Sequence, residues 1–143
     1  MKKMGLLIGA ILLSTQLHAE LVERTETVKG RKPEITNSLG VFNYTEKGRV
    51  PKVGDKIRHY SITARDLDGD AYTMHLQWLR DGEPIPGATG NGIDIIAAEY
   101  RPTAEDIGKM LSVRVSISTS PDITDPFQGD TKYSNEIGPV TEN

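Results

Sequence analysis

The pattern of apolar and polar positions changes character twice along the chain. Residues 5–13 are an unbroken apolar run, residues 20–32 are mostly charged or polar, and from Pro33 onward short runs of alternating apolar positions recur. Clusters of Gly, Pro, Asn and Asp separate these runs, as expected for strands joined by turns. No window holds a helical stripe over three turns. The nearest, "TAEDIGKM" (103–110), is interrupted by Gly108. The expected class is therefore all-β, a sandwich or barrel of short strands.

The strands are placed as follows. "EITNSLGVFNY" (34–44) holds one or two, broken at Gly40, and "DKIRHYSITA" (55–64) holds another whose register the pattern leaves open. "AYTMHLQWL" (71–79) puts Tyr72, Met74, Leu76 and Trp78 on one face, with Thr73, His75 and Gln77 on the other. Asp81-Gly82 then predicts a two-residue hairpin turn, and Pro84 and Pro86 mark an edge strand that cannot donate fully to a ladder. "NGIDIIAAEY" (91–100) is a further run. In "MLSVRVSIS" (110–118) Leu111, Val113, Val115 and Ile117 align on one face, and "KYSNEIGPVT" (132–141) closes the domain. The longest piece without strand pattern is "TSPDITDPFQGD" (119–130).

The opening residues change the compartment. Lys2 and Lys3, the apolar run and Leu17-His18-Ala19 make the three parts of a secretory signal peptide, 1–19, cleaved near Ala19-Glu20. The run is too short for a stable bilayer-spanning helix, so no membrane insertion is expected. The protein is expected to be periplasmic or secreted, with 20–32 as a flexible polar leader and 33–143 as the folded domain. The 20 acidic residues outnumber the 17 basic ones, two of which lie in the signal. That balance argues against nucleic acid and anionic lipid as partners. Cysteine is absent, so there is no disulfide, thiol chemistry is excluded, and an apolar core must hold the fold.

The densest chemistry is "DLDGD", with Asp66, Asp68 and Asp70 around Gly69. An EF-hand counted from Asp66 would need Gly at position six and Glu at position twelve, where the chain has Ala71 and Gln77. A looser calcium site using Asp66, Asp68 and Asp70 remains the competing reading. The first reading is a corner between strands, because Gly69 permits positive φ and Asp side chains cap nearby N–H groups. His59 and His75 lie on different strands with no third ligand implied. No nucleophile elbow, zinc-helix motif or phosphate loop occurs, "GATGNG" (87–92) opens no helix, and Glu105-Asp106 sits in too short a chain for a sugar-cleaving cleft. No enzyme and no cofactor are expected. Asn43-Tyr44-Thr45 matches a glycosylation sequon without functional weight.

The order strand, Trp, tight turn, edge piece, strand, Asp-x-Gly corner, strand resembles immunoglobulin-like domains of bacterial surface proteins of the invasin and intimin type. The residues that carry it are Val53-Gly54, Asp66 to Asp70, Trp78 to Gly82, Pro84-Ile85, Gly87 to Gly90, Thr103, Asp106, Gly108-Lys109 and Leu111 to Val115. Among these, the chain is most similar to the secreted single-domain proteins of the ZirU type. The resemblance implies an immunoglobulin-like β-sandwich of about seven strands, with Trp78 packed between the sheets among Leu111 and Val113. It implies a protein-interaction module in a surface adhesion system. The implied partners are an invasin-like outer-membrane barrel and another secreted immunoglobulin-like protein. Within the 119–130 loop, Ile123 and Phe127 are the candidate anchors and Asp122 and Asp125 the candidate acidic rim. The competing function is a calcium-dependent carbohydrate-binding module using the Asp-rich end loops.

Overall fold

The computed structural model describes residues 28–91 and 98–143; the signal segment, most of the leader and the centre of the 91–100 run lie outside them. The chain is all-β. Its strands are β1 (Glu34–Ile35), β2 (Val41–Asn43), β3 (Ile57–His59), β4 (Ala64–Arg65), β5 (Thr73–Arg80), β6 (Glu83–Asn91), β7 (Leu111–Ser118) and β8 (Gln128–Tyr133). The last four form one sheet in the order β6-β5-β7-β8, while β1 pairs with β4 and β2 with β3.

The two most regularly alternating segments form the middle of the large sheet. Antiparallel β5 and β7 set Met74 opposite Ile117, Leu76 opposite Val115, Trp78 opposite Val113 and Arg80 opposite Leu111. The pleat turns Met74, Leu76, Trp78, Leu111, Val113, Val115 and Ile117 to one face, and all are buried. Ile35, Val41 and Ile57 from the two short ladders, and Leu39 between β1 and β2, join them in a single core. Burial of Ile57 resolves the register of the 55–64 run. Ile57 and His59 turn inward, Arg58 and Tyr60 outward, and the run breaks before β4.

The β5–β6 hairpin closes through Asp81 and Gly82 with φ of 47° and 85°, the left-handed pair that a two-residue turn of this type requires. The glycine-rich stretch after the prolines is not a loop: Gly87–Asn91 continues β6 along the sheet edge. Pairing shifts between Leu79–Pro84 and Gln77–Thr89, leaving residues 85–88 as a bulge. The Gln77 side-chain amide fills it, donating to the carbonyls of Ile85 at 2.8 Å and Ala88 at 3.3 Å.

The last strand begins earlier than the pattern predicts. β8 starts at Gln128 rather than Lys132, and residues 134–141 hold to the fold by single bridges, Leu111 to Ile137 and Ile107 to Val140. Gly129 explains why this polar stretch can be a strand. A Cβ there would lie 2.2 Å from the Pro33 carbonyl oxygen, so only glycine lets the chain before β1 cross β8 so closely.

Candidate functional site

The Asp66–Asp70 corner joins β4 to β5, and so passes from a short ladder to the large sheet. Asp66 Oδ1 accepts the backbone N–H groups of Asp68 at 2.9 Å and Asp70 at 3.0 Å, and Gly69 takes φ 81°. The turn is thus built by its own first carboxylate. The 119–130 segment packs beside it: Thr124, buried, donates its hydroxyl to Asp70 Oδ2 at 2.8 Å.

The end of the leader is held at the same place. Gly30 donates its N–H to the Ile123 carbonyl at 2.9 Å and accepts from the Asp125 N–H at 3.2 Å. A Cβ on Gly30 would come within 2.7 Å of Asp70 Oδ2, so glycine permits this approach. Arg31 gives its backbone N–H and its guanidinium to Asp68, Lys32 reaches Asp130 at 2.9 Å, and Lys29 donates to the Pro121 carbonyl at 3.0 Å. Of the polar leader expected over 20–32, the described residues 28–32 lie against the fold, where their cations meet two carboxylates and the backbone of the 119–130 loop. The Arg31 N–H and side chain hold the Asp68 carboxyl below its ordinary range, as Lys32 does for Asp130. A cavity of about 450 Å³ lies between Val28–Arg31, Asp68, Asp70 and Ile123.

Around this junction several apolar side chains face solvent. Ile123 is 46% exposed, Leu67 46% and Phe127 38%, and Phe127 stands outside the core cluster. Asp122 and Asp125 are exposed beside them. The loop is compact, since Ile123 and Thr124 both donate backbone N–H groups to the Ser120 carbonyl and Thr119 to that of Phe127. Corner, leader and loop thus meet, whereas the two histidines do not. His59 is buried in β3, and His75 lies on the open face of β5 with Asn91 at 3.0 Å. Asn43 of the sequon is also buried, its amide donated to Asp55 at 2.7 Å.

The Glu105-Asp106 pair belongs to a second acidic corner. Asp106 ends the 3-10 turn Ala104–Asp106 and is wholly buried. It accepts Arg80 Nε at 2.6 Å, the Tyr100 hydroxyl at 2.8 Å and the Thr103 N–H at 2.7 Å. Burial pushes its carboxyl up, but the Thr103, Arg80 and Tyr100 hydrogen bonds outweigh burial and hold it below the ordinary range. Tyr100 in turn lies against Trp78, centroids 5.5 Å apart. The cluster depends on pairing Arg80 at a strand end with the aspartate of an Asp-x-Gly turn, and spacing along the chain does not reveal that pairing.

Among the described residues no group of three or more His, Cys, Asp or Glu is arranged to hold a metal ion, and no helix is long and apolar enough to cross a membrane. No family model matches the chain, and neither curated proteins nor solved structures give a match.

Proposed function

We propose that this protein is a secreted immunoglobulin-like protein-interaction module, a component of a surface adhesion system working beside an invasin- or intimin-like outer-membrane protein. The observation that carries the binding role is the junction where Ile123, Leu67 and Phe127 are exposed beside the exposed Asp122 and Asp125. Apolar anchors inside a polar rim are what an interaction surface needs, and the acids would steer a basic partner. The fold assignment and the adhesion setting rest on the motif from Val53-Gly54 to Val115. A four-stranded sheet sharing one core with two short ladders supports the sandwich. In this reading the protein acts after signal removal and performs no catalysis.

The test is calorimetric titration of the mature chain against the exposed domain of an invasin-like barrel and against a second secreted immunoglobulin-like protein. Phe127→Ala and Ile123→Ala should each weaken binding by about 1–3 kcal/mol with the melting temperature kept. Asp122→Asn with Asp125→Asn should mainly slow association, and less so at high salt. Full affinity in both apolar variants would place the interface elsewhere.

One observation favours a second reading. Asp66 Oδ2 is buried without a hydrogen-bond partner, and a hard cation such as calcium satisfies an oxygen of this kind. A melting temperature that rises with calcium and falls with chelator would move the assignment to calcium-dependent carbohydrate binding.

A further inference from the structure

The outer face of the β2–β3 ladder carries aromatic rings where a solvated sheet face is ordinarily polar. Val41, Asn43, Ile57 and His59 turn inward, so Phe42, Tyr44, Arg58 and Tyr60 turn outward. Phe42 and Tyr60 stack with centroids 4.8 Å apart and planes 22° from parallel. Tyr44 lies 6.3 Å from Phe42, and the Arg58 guanidinium sits 3.9 Å above the Tyr44 ring. Tyr60 is nevertheless 58% exposed and Tyr44 44%. Gly40 is part of the construction. A Cβ there would stand 2.5 Å from the Tyr60 ring, so glycine lets that ring lie against the backbone. A cavity of about 380 Å³ opens beside Phe42 and Tyr60, and Asn43, Arg49, Asn135 and Glu136 contribute to its walls.

We propose that this face binds a neutral pyranoside, with the apolar C–H face of the sugar on the exposed Tyr60 ring, which Phe42 backs, and its hydroxyls in the adjoining cavity. Two features select that class. The cavity has the size of a small-ligand site but polar walls, which suits a polyhydroxylated ligand better than a purely apolar one. The guanidiniums near the rings are already paired, Arg58 over Tyr44 with Glu99 at 3.0 Å and Arg49 at the cavity wall with Glu46 at 3.5 Å. A single-stranded nucleic acid would stack on the same rings, but it needs cations for its phosphates. The platform shares no residue with the junction of corner and loop, so either site stands without the other.

The probe is an array of neutral hexose and N-acetylhexosamine oligosaccharides, followed by titration of the retained sugar into the mature chain. Tyr60→Ala should weaken binding about tenfold or more, the scale of one aromatic stacking contact. Tyr60→Phe should bind within about twofold of the parent, since the ring face is kept. Tyr60→Trp should keep binding and report it as a fluorescence change, because Trp78 is buried and does not meet the sugar. An unchanged melting temperature in Tyr60→Ala separates loss of stacking from loss of fold. The proposal is overturned if no neutral pyranoside is retained by the parent chain, or if Tyr60→Ala binds the sugar as well as the parent does. It is equally overturned if the platform variants weaken only a protein partner.

Discussion

Two aspartate corners turn this chain, and they use the same side chain in opposite ways. At Asp106 one carboxylate is withdrawn from water and surrounded by Arg80, Tyr100 and Thr103. At Asp66–Asp70 three carboxylates divide the work near the surface. Asp66 caps the turn, Asp68 holds Arg31 and Asp70 holds Thr124. Removing one donor or acceptor from a buried cluster leaves its partners stranded, whereas an exposed pair is replaced by water with little loss. The surface corner is therefore the one that stability can spare at Asp68, whose partner Arg31 is exposed. It is also the one left with surface to offer a partner.

The largest effects are expected around the buried corner. Trp78→Ala should cost about 3–5 kcal/mol through the cavity it opens against Tyr100 and the core, read as a fall in melting temperature and denaturant midpoint. Asp106→Ala should cost about 2–4 kcal/mol, somewhat under the usual loss for breaking a buried pair, because Arg80 keeps partial access to water. If Asp106→Ala melts like the parent, the contrast between the corners collapses.

The same corner sets a pH dependence with a definite sign. The Asp106 carboxyl has its pKa lowered by folding, so its contribution is complete above the unfolded value, about 4, and disappears as pH falls through the folded value. Burial, followed by the hydrogen bond to Asp106, raises the Tyr100 hydroxyl. Its contribution is present below its unfolded value, about 10, and is lost as pH rises through the folded one. Melting followed across pH should therefore weaken at both extremes, and the acid limb should flatten in Asp106→Asn.

Smaller effects belong to the surface corner. Gly69 has φ 81° and open space around an added Cβ, so Gly69→Val should cost about 1–2 kcal/mol from backbone conformation alone, with or without calcium. The smallest effect is expected for Asp68→Asn. Its melting temperature should match that of the parent, while the Gly30 and Asp125 amides exchange hydrogen faster as the leader loosens. Added salt should do the same to the parent chain. Protection unchanged in Asp68→Asn would show that the Gly30 backbone pairing alone retains the leader.

Some elements are legible in the order of residues and others are not. β5 and β7 announce themselves because every second residue from Met74 to Trp78 and from Leu111 to Ile117 must be apolar to fill one core. Asp81-Gly82 is legible because few residue pairs accept two positive φ values. β1 to β3 are legible only as runs, 34–44 broken at Gly40 and 55–64, while their registers and the separate β4 are not, since strands of two or three residues are too short for a period to show. The start of β8 is hidden as well: Gln128, Gly129 and Asp130 carry turn chemistry, and the reason for Gly129 is the passage of Pro33 over it. The placement of Ile123 and Phe127 on an exposed loop is legible, but the docking of Gly30 and Arg31 against it is not.

Local chemistry, then, determined the all-β class, the alternating faces of the central strands, the hairpin turn and the self-capped Asp66 corner. Each is settled by neighbours within a few residues, so the sequence alone carries it. Tertiary structure decided which acids are buried, which glycines admit another chain segment, and how Tyr60 comes to lie on Gly40 and Phe42. Those outcomes depend on groups far apart in the chain meeting at contact distance. A carboxylate reads the same in sequence whether Arg80 or water awaits it.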